Sequence, residues 1–398
     1  MPFQLNRTLT RRDFIARTTA AAGALALGCT DSNDPEPTDD EGSIDHIIVV
    51  TMENRSFNHL LGWVPGADGK QGGLSYLDFN GVSHSTFRLP TLHSCQYADP
   101  NHSFEGGRQE YNNGACDGWL RTPGNDLHAI GYYEAADLPF FGKAAPEWLV
   151  LDRYFTPLMG PTYPNRVISL AAETDRLSNT SVPSVLPTIW DRLLAAGLTG
   201  KNYGTNLVSS SLWGLKYASI IRPIGEFYSD AAAGNLPALS FVDPDFGSPT
   251  SNSYHPPEDI RNAEAFMAGV YKAVTTGPRW NKSLLIITFD EWGGFFDHVP
   301  PPVAQVSQAE KNLGNTDGLR GFRIPTLLVS PFVKRKSVSS KVYDHSSVLK
   351  MIETRWNLQP LTIRDATANN LMDEIDLTLP VAAAPVIDVP AGPFVTPC

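Results

Sequence analysis

Cysteine and basic charge are both scarce in this chain. Four cysteines in 398 residues are too few for a disulfide scaffold, and a chain of this length builds a core without such staples. Lys and Arg number 31 against 42 Asp and Glu, for a formal net charge of -11. An acidic protein repels polyanions, which argues against nucleic acid as a partner. No repeat period is visible, so solenoid and propeller arrays are excluded. The apolar stretch near the N-terminus, TTAAAGALALG, is too short to span a bilayer.

What stands around that stretch is informative. Thr10-Arg11-Arg12-Asp13-Phe14-Ile15 resembles a twin-arginine export signal, so residues 1–28 are expected to direct export. Two processing routes are open: acylation of Cys29, or cleavage after Ala24-Leu25-Ala26. The first tethers the protein to a membrane and the second frees it, so the expected location is periplasmic, extracellular or lipid-anchored. Residues 29–43, including TDSNDPEPTDDEG, are acidic and lack large apolar side chains, which predicts a flexible tether. Loss of residues 1–28 removes four arginines and one aspartate and moves the net charge from -11 to -14. With Cys29 acylated or removed, the expected disulfide joins Cys95 to Cys116 and leaves Cys398 over at the terminus.

From residue 44 short β-branched runs alternate with helical ones: DHIIVVTM, EWLVLDRYF, TIWDRLLAAG, LPALSFVDP, NAEAFMAGVYKAV, SLLIITFDE, IPTLLVS and SSVLKMIETRW. This alternation predicts one α/β domain over residues 44–375, a mostly parallel sheet with helices on both faces. The Gly, Pro and Asn-rich stretches 63–115 and 203–235 are too long for plain connections and are expected to be functional or to carry small insertions. The Pro and Ala-rich tail, 376–398, is expected to wrap the surface or hang loose.

Ligands of open α/β sheets sit beyond the carboxyl ends of the strands. Glu53 and Asn54 follow IIVVTM, and Asp290 and Glu291 follow LLIITF, so two strand ends bring three carboxylates and an amide toward one edge. Such hard oxygen groups repel one another unless a divalent cation neutralises them. In PLMGPTYPNRVISLAAET a Gly-Pro turn presents Thr162 ahead of a helical run. A threonine there is either a helix cap or, beside a metal, a hydroxyl nucleophile at a helix end that receives phosphoryl oxygens. His102, His255, His298 and His345 lie in Pro- and Gly-framed loops around these motifs. Imidazolium groups among them would stabilise charge on a transferring phosphoryl group and protonate a leaving alkoxide.

The segments MENRSFNHLLG, GPTYPNR, HPPEDIRNAEAF, ITFDEWGGFFDHVPPP, GFRIPTLLVSPFV and DHSSVLKMIE together resemble the bacterial phosphoesterase family. That family contains phospholipases C and a group of acid phosphatases within the alkaline-phosphatase superfamily. The resemblance implies an alkaline-phosphatase-like fold and a single divalent metal held by Glu53, Asn54, Asp290, Glu291 and Thr162, with Thr162 also the nucleophile. It places His255 and His345 where two-metal relatives bind a second cation, His102 as donor to the leaving group, and Asp297 and His298 in support or on the substrate. Calcium, magnesium or manganese suits the oxygen ligands better than zinc. The implied substrate is a phosphate mono- or diester, phospholipid included. Asn58 and Trp292 stand where the family often has Asp and His, and the chain is too short for the extra C-terminal β-domains of the larger phospholipases. A sulfatase-like hydrolase on the same fold and a non-catalytic surface lipoprotein are the rival readings.

Overall fold

The computed structural model describes residues 42–247 and 250–395. The export signal, Cys29, residues 29–41 of the tether and Cys398 lie outside the described residues.

Eight strands build the central sheet: β1 (His46–Met52), β2 (Leu149–Leu151), β3 (Gly200–Gly204), β4 (Ile221–Pro223), β5 (Leu239–Val242), β6 (Ser283–Phe289), β7 (Leu327–Val329) and β8 (Ser337–Ser339). Their spatial order is β8-β2-β7-β6-β1-β5-β3-β4. Only β7 pairs antiparallel with its neighbours; every other pairing is parallel. β1 and β6 are central and covered on both faces, which is why their sequences read as unbroken apolar runs. Ile47, Ile48 and Val50 are fully buried, and each such side chain stabilises the fold by about 1.5–3 kcal/mol.

Register sets what meets at the carboxyl edge. Met52 pairs with Phe289 across β1 and β6, and Val50 with Val242 across β1 and β5. Three adjacent strands therefore end together, delivering Glu53, Asp290 and Asp243 to one place. Five helices matter for the site: α1 (Phe57–Leu61), α2 (Phe104–Tyr111), α3 (Thr162–Ala171), α4 (Ile260–Thr275) and α5 (His345–Trp356). Ser103 caps α2 through Gly106 N–H, Asp259 caps α4 through Arg261 N–H, and Asp344 with Ser347 forms a capping box on α5. Each cap fixes the chain entering a helix, and in α2 and α5 a histidine stands at that entrance.

Stretch 203–235 carries small elements, β4 and a helix over Ile224–Ala233, in line with one of the two readings of it. One expectation changes here. The Cys95–Cys116 pair does not form: Cys116 is a free, buried thiol whose Sγ donates to the Gly114 carbonyl, while Cys95 is disulfide-bonded elsewhere. Cys116 points into the hydrophobic core, and burial raises its thiol pKa to about 12. The tail wraps the surface up to its last described residues. Asn262 on α4 exchanges hydrogen bonds with the backbone of Phe394, at 2.9 and 2.7 Å.

Candidate active site

Asn54 follows β1 in the left-handed conformation, φ 55°, which an Asn tolerates better than most residues. This turn aims its N–H at Asp290 Oδ1, 3.1 Å away across the strand boundary. Gly293, in the Asp290-Glu291-Trp292-Gly293 turn, has φ 66°, and a Cβ there would overlap the Asn54 carbonyl. The two loops approach this closely because one of them has no side chain.

Thr162 is the first residue of α3, behind Pro161. It does not cap the helix. Its hydroxyl instead donates toward Glu53 Oε2 at 3.2 Å and Asn54 Oδ1 at 3.4 Å. One turn on, Arg166 is buried among acids. Its Nε and Nη2 both donate to Glu53 Oε1, at 3.0 and 2.6 Å, and Nη1 donates to Asp243 Oδ1 at 2.6 Å and Ser209 Oγ at 2.9 Å. Asp290 Oδ2 lies 3.6 Å from Nε. Burial opposes charge on this guanidinium, but Glu53, Asp243 and Asp290 outweigh it and hold Arg166 firmly protonated. Neither Arg166 nor Asp243 was singled out in the sequence, although Arg166 closes the GPTYPNR segment and Asp243 ends a strand just as Asp290 does.

One guanidinium does not balance this many carboxylates. Glu53, Asp290 and Glu291 all have pKa values raised, first by burial and then, for Asp290 and Glu291, by neighbouring carboxylates. Asp290 Oδ2 and Glu291 Oε1 are buried with no hydrogen-bond partner. Buried acceptors of that kind are costly unless a cation is present. The donor set, all hard oxygen, fits a divalent ion of the calcium, magnesium or manganese type.

The structure separates the histidines into three groups. His102 stands just before α2 with Nε2 3.4 Å from Asn54 Nδ2 and 3.8 Å from Glu291 Oε1; burial lowers its pKa. His255 lines the cavity above Thr162, with its ring centroid 6.2 Å from that of His102. His345 is further back. Its Nε2 donates to the Asp290 carbonyl at 3.0 Å, and Nδ1 accepts from the Tyr154 hydroxyl at 3.0 Å. Both ring nitrogens are thus occupied, and burial lowers the pKa to about 4. His345 is a neutral prop for the Asp290 peptide and does not supply the imidazolium charge expected of it.

Asp297 and His298 lie in a separate buried network. Asp297 accepts from Arg323 Nε and Val299 N–H, while His298 joins Asn58 at 2.9 Å and Asp68 at 3.0 Å. Arg323 Nη2 closes the network on Asn58 Oδ1 at 3.2 Å. These bonds tie the loop after β6 to α1 and do not reach Thr162. The resemblance of the ITFDEWGGFFDHVPPP segment was the signal, and a turn of chain carries them away from Thr162.

A cavity of about 200 Å³ opens over Thr162. Glu53, Thr162, Arg166, Ser209 and His255 form its polar side, and Tyr163, Leu207, Val208, Leu212 and Phe246 its apolar side. A polar floor carrying a hydroxyl, beneath a largely apolar wall, suits a substrate with a reacting anionic group and an apolar remainder.

The chain is 32% identical over 391 aligned residues to non-specific phospholipase C6 of Arabidopsis thaliana, covering 87% of this chain and 75% of that protein. It is 27% identical to phospholipase C B of Mycobacterium tuberculosis, covering 94% and 86%. Among solved structures, a protein in the alkaline phosphatase superfamily from Vibrio parahaemolyticus aligns over 84% of this chain and 72% of that one, with 11% identity and a TM-score of 0.42. Residues 44–359, which hold every part of the cluster around Thr162, match the Phosphoesterase family, and the chain belongs to that family.

Proposed function

We propose that this chain is an exported, metal-dependent phospholipase C-type hydrolase that cleaves phosphodiesters through a covalent phospho-Thr162 intermediate. The observation that carries the reading is the Thr162 hydroxyl, released from capping duty and turned onto Glu53 and Asn54 at the N-terminus of α3. Glu53, Asn54, Asp290, Glu291 and Thr162 would hold one divalent cation, which lowers the pKa of a neighbouring hydroxyl and neutralises phosphoryl oxygens.

In the first step Thr162 Oγ attacks phosphorus, the P–O bond to the leaving alcohol breaks, and the hydroxyl proton passes to an acceptor, the nearest being Glu53 Oε2. The N-terminal peptides of α3 face the phosphoryl oxygens. In the second step water attacks the phospho-threonine and restores the hydroxyl. His255 lines the cavity over Thr162, and His102 stands beside it with ring centroids 6.2 Å apart.

A diester is favoured over a monoester by the charge lining the cavity. Its one arginine, Arg166, is already engaged by Glu53 and Asp243, so little positive charge from side chains is left for a monoester's second negative charge. A lipid alcohol is favoured by the rim. Val182, Val185 and Leu215 are 69, 86 and 88% exposed, and their loops lie together because Ser184 N–H donates to the Leu212 carbonyl at 2.7 Å and Trp213 Nε1 to the Leu186 carbonyl at 2.8 Å. Leu212 itself lines the cavity. Exposed apolar groups beside a site mark where an apolar partner docks.

Export belongs to the same proposal and is supported by Arg11-Arg12 and the apolar stretch behind them, with Cys29 as the point of any membrane tether. The deciding experiment is mass spectrometry of enzyme quenched during turnover of a phosphodiester. A phosphoryl or phosphodiester adduct is expected on the peptide containing Thr162; the same adduct on a histidine would overturn the mechanism.

A further inference from the structure

We propose that Arg55 is a positioning residue: by clamping the Tyr254 carbonyl it holds His255 over Thr162. The inference rests on the phosphoesterase reading, in which a phosphoryl group binds in the cavity that Thr162 and His255 line. It adds to that reading the part that sets the distance between them.

Arg55 is buried, and its nitrogens are directed to neutral acceptors. Nε and Nη2 both donate to the Tyr254 carbonyl, at 3.0 and 2.6 Å. Nη1 donates to His59 Nε2 at 3.2 Å, which is free to accept because His59 Nδ1 donates to the Gly131 carbonyl at 2.8 Å. The guanidinium also lies over the Phe295 ring, 4.7 Å from its centroid. Taking a guanidinium out of water against neutral partners is costly, and an apolar side chain of similar volume would pack there at less cost. What the charged group does is fix one peptide, the one that leads into His255.

Tyr254 needs that fixing. Its φ is 82°, in the left-handed region where a bulky side chain is an outlier, and such a conformation persists only when its surroundings over-determine it. Arg55 holds the carbonyl, and the Tyr254 hydroxyl donates to buried Glu264, whose other oxygen accepts from the Phe140 and Phe141 N–H groups at 2.5 and 3.1 Å. On the N-terminal side the Ser253 carbonyl accepts from Glu53 N–H at 2.8 Å, and Ser253 Oγ accepts from His255 N–H at 3.2 Å. The His255 ring bonds to the adjacent residue, Nδ1 donating to the Pro256 carbonyl at 2.6 Å, so it travels with its loop.

One turn of chain thereby links both sides of the cavity. Glu53 and Asn54 accept from the Thr162 hydroxyl, and the next residue, Arg55, holds the peptide that carries His255. Displacing a positioned group by about 1 Å can cost on the order of a hundredfold in rate.

The test combines a double-mutant cycle with a direct view of His255. Arg55→Lys keeps the charge and gives up the two-pronged bond. In the full chain loaded with manganese ion it should lower kcat on a soluble phosphodiester roughly tenfold to a hundredfold, with a smaller change in KM. In a His255→Ala background the same substitution should change kcat less than about twofold, because the group through which it acts is gone. Histidine-labelled protein gives the second readout: the NMR signal of His255, identified by its loss in His255→Ala, should move or broaden in Arg55→Lys while that of His46, at the far end of β1, stays. Should Arg55→Lys fail to fold by circular dichroism, Tyr254→Phe, which removes one hydroxyl, is expected to show the same pattern at smaller amplitude. An equal loss of kcat in both backgrounds marks a merely structural role and overturns the proposal, as does an unmoved His255 signal or a His255→Ala variant as fast as the wild type. A wild type that turns over no phosphoester refutes the phosphoesterase reading instead, and the His255 signal then judges the clamp by itself.

Discussion

The Thr162 hydroxyl sits 3.2 Å from Glu53 Oε2, joining the first residue of α3 to the residue that follows β1, 109 positions earlier. A threonine at a helix start usually turns back on its own helix. This one is oriented by another strand, so its reactivity and not the helix depends on it. Thr162→Ala should stay folded and lose at least about a hundredfold in turnover, while Thr162→Ser keeps a large part of it. A cap would behave in the opposite way, with activity kept and about 1 kcal/mol of stability lost. Steady-state rates on a soluble phosphodiester and a thermal melt distinguish the two.

Asp290→Ala removes a carboxylate whose Oδ2 accepts no hydrogen bond among the described residues. The variant should bind the oxygen-site ion far more weakly while losing little stability when metal-free, because a buried charge is taken away. Equilibrium dialysis against manganese measures the first effect. Full occupancy in the variant would show that Asp290 is not a ligand.

Stability should depend on pH differently with and without metal. A carboxyl whose folded pKa is raised stabilises the fold fully below its unfolded value, about 3.9 for Asp, and that contribution is lost as pH rises through the folded value. For Asp290 the folded value is about 8, raised by burial and by Glu53; Glu53 and Glu291 shift in the same direction. The melting temperature of chelator-stripped protein should therefore fall behind that of the metal-loaded protein progressively between about pH 4 and pH 8. Parallel curves across that range would count against a cation in the cluster.

Arg166→Met leaves Glu53 and Asp243 buried without their counter-charge. Breaking a buried pair in this way typically costs about 3–5 kcal/mol, read as a lower urea midpoint. A change below about 0.5 kcal/mol would mean that water replaces the guanidinium.

The apolar rim gives a prediction that separates binding from chemistry. Val185→Asp and Leu215→Asp should slow hydrolysis of phosphatidylcholine vesicles several-fold and leave a short soluble phosphodiester unaffected, since neither residue lines the cavity. Equal losses on both substrates would place the effect in the fold. No loss on vesicles would remove the rim from lipid recognition.

Local pattern was enough to reveal the sheet and the ligand-rich strand ends. β1 and β6 are continuous apolar runs because both of their faces are covered, and each run stops at a carboxylate with no packing role. Glu53, Asn54, Asp290 and Glu291 could be named for that reason, and Thr162 from the Gly-Pro turn ahead of its helical run. β3 and β4 were missed because GKNYG and IRP lack β-branched periodicity. Asn202 in β3 is buried to donate to Asp243 Oδ2 at 2.7 Å, and Gly200 is small because Trp190 packs against it.

Sequence alone thus determined which residues end the central strands and that the chain is of phosphoesterase type. Tertiary structure decided which groups face each other. Register between β1, β5 and β6 brought Asp243 and Arg166 to Glu53, burial left His345 neutral behind Asp290, and one turn of chain diverted Asp297 and His298 to Arg323 and Asn58. Those outcomes depend on distances between segments 26 to 240 residues apart in the chain and on the water excluded between them. Neither quantity is written in local composition or spacing.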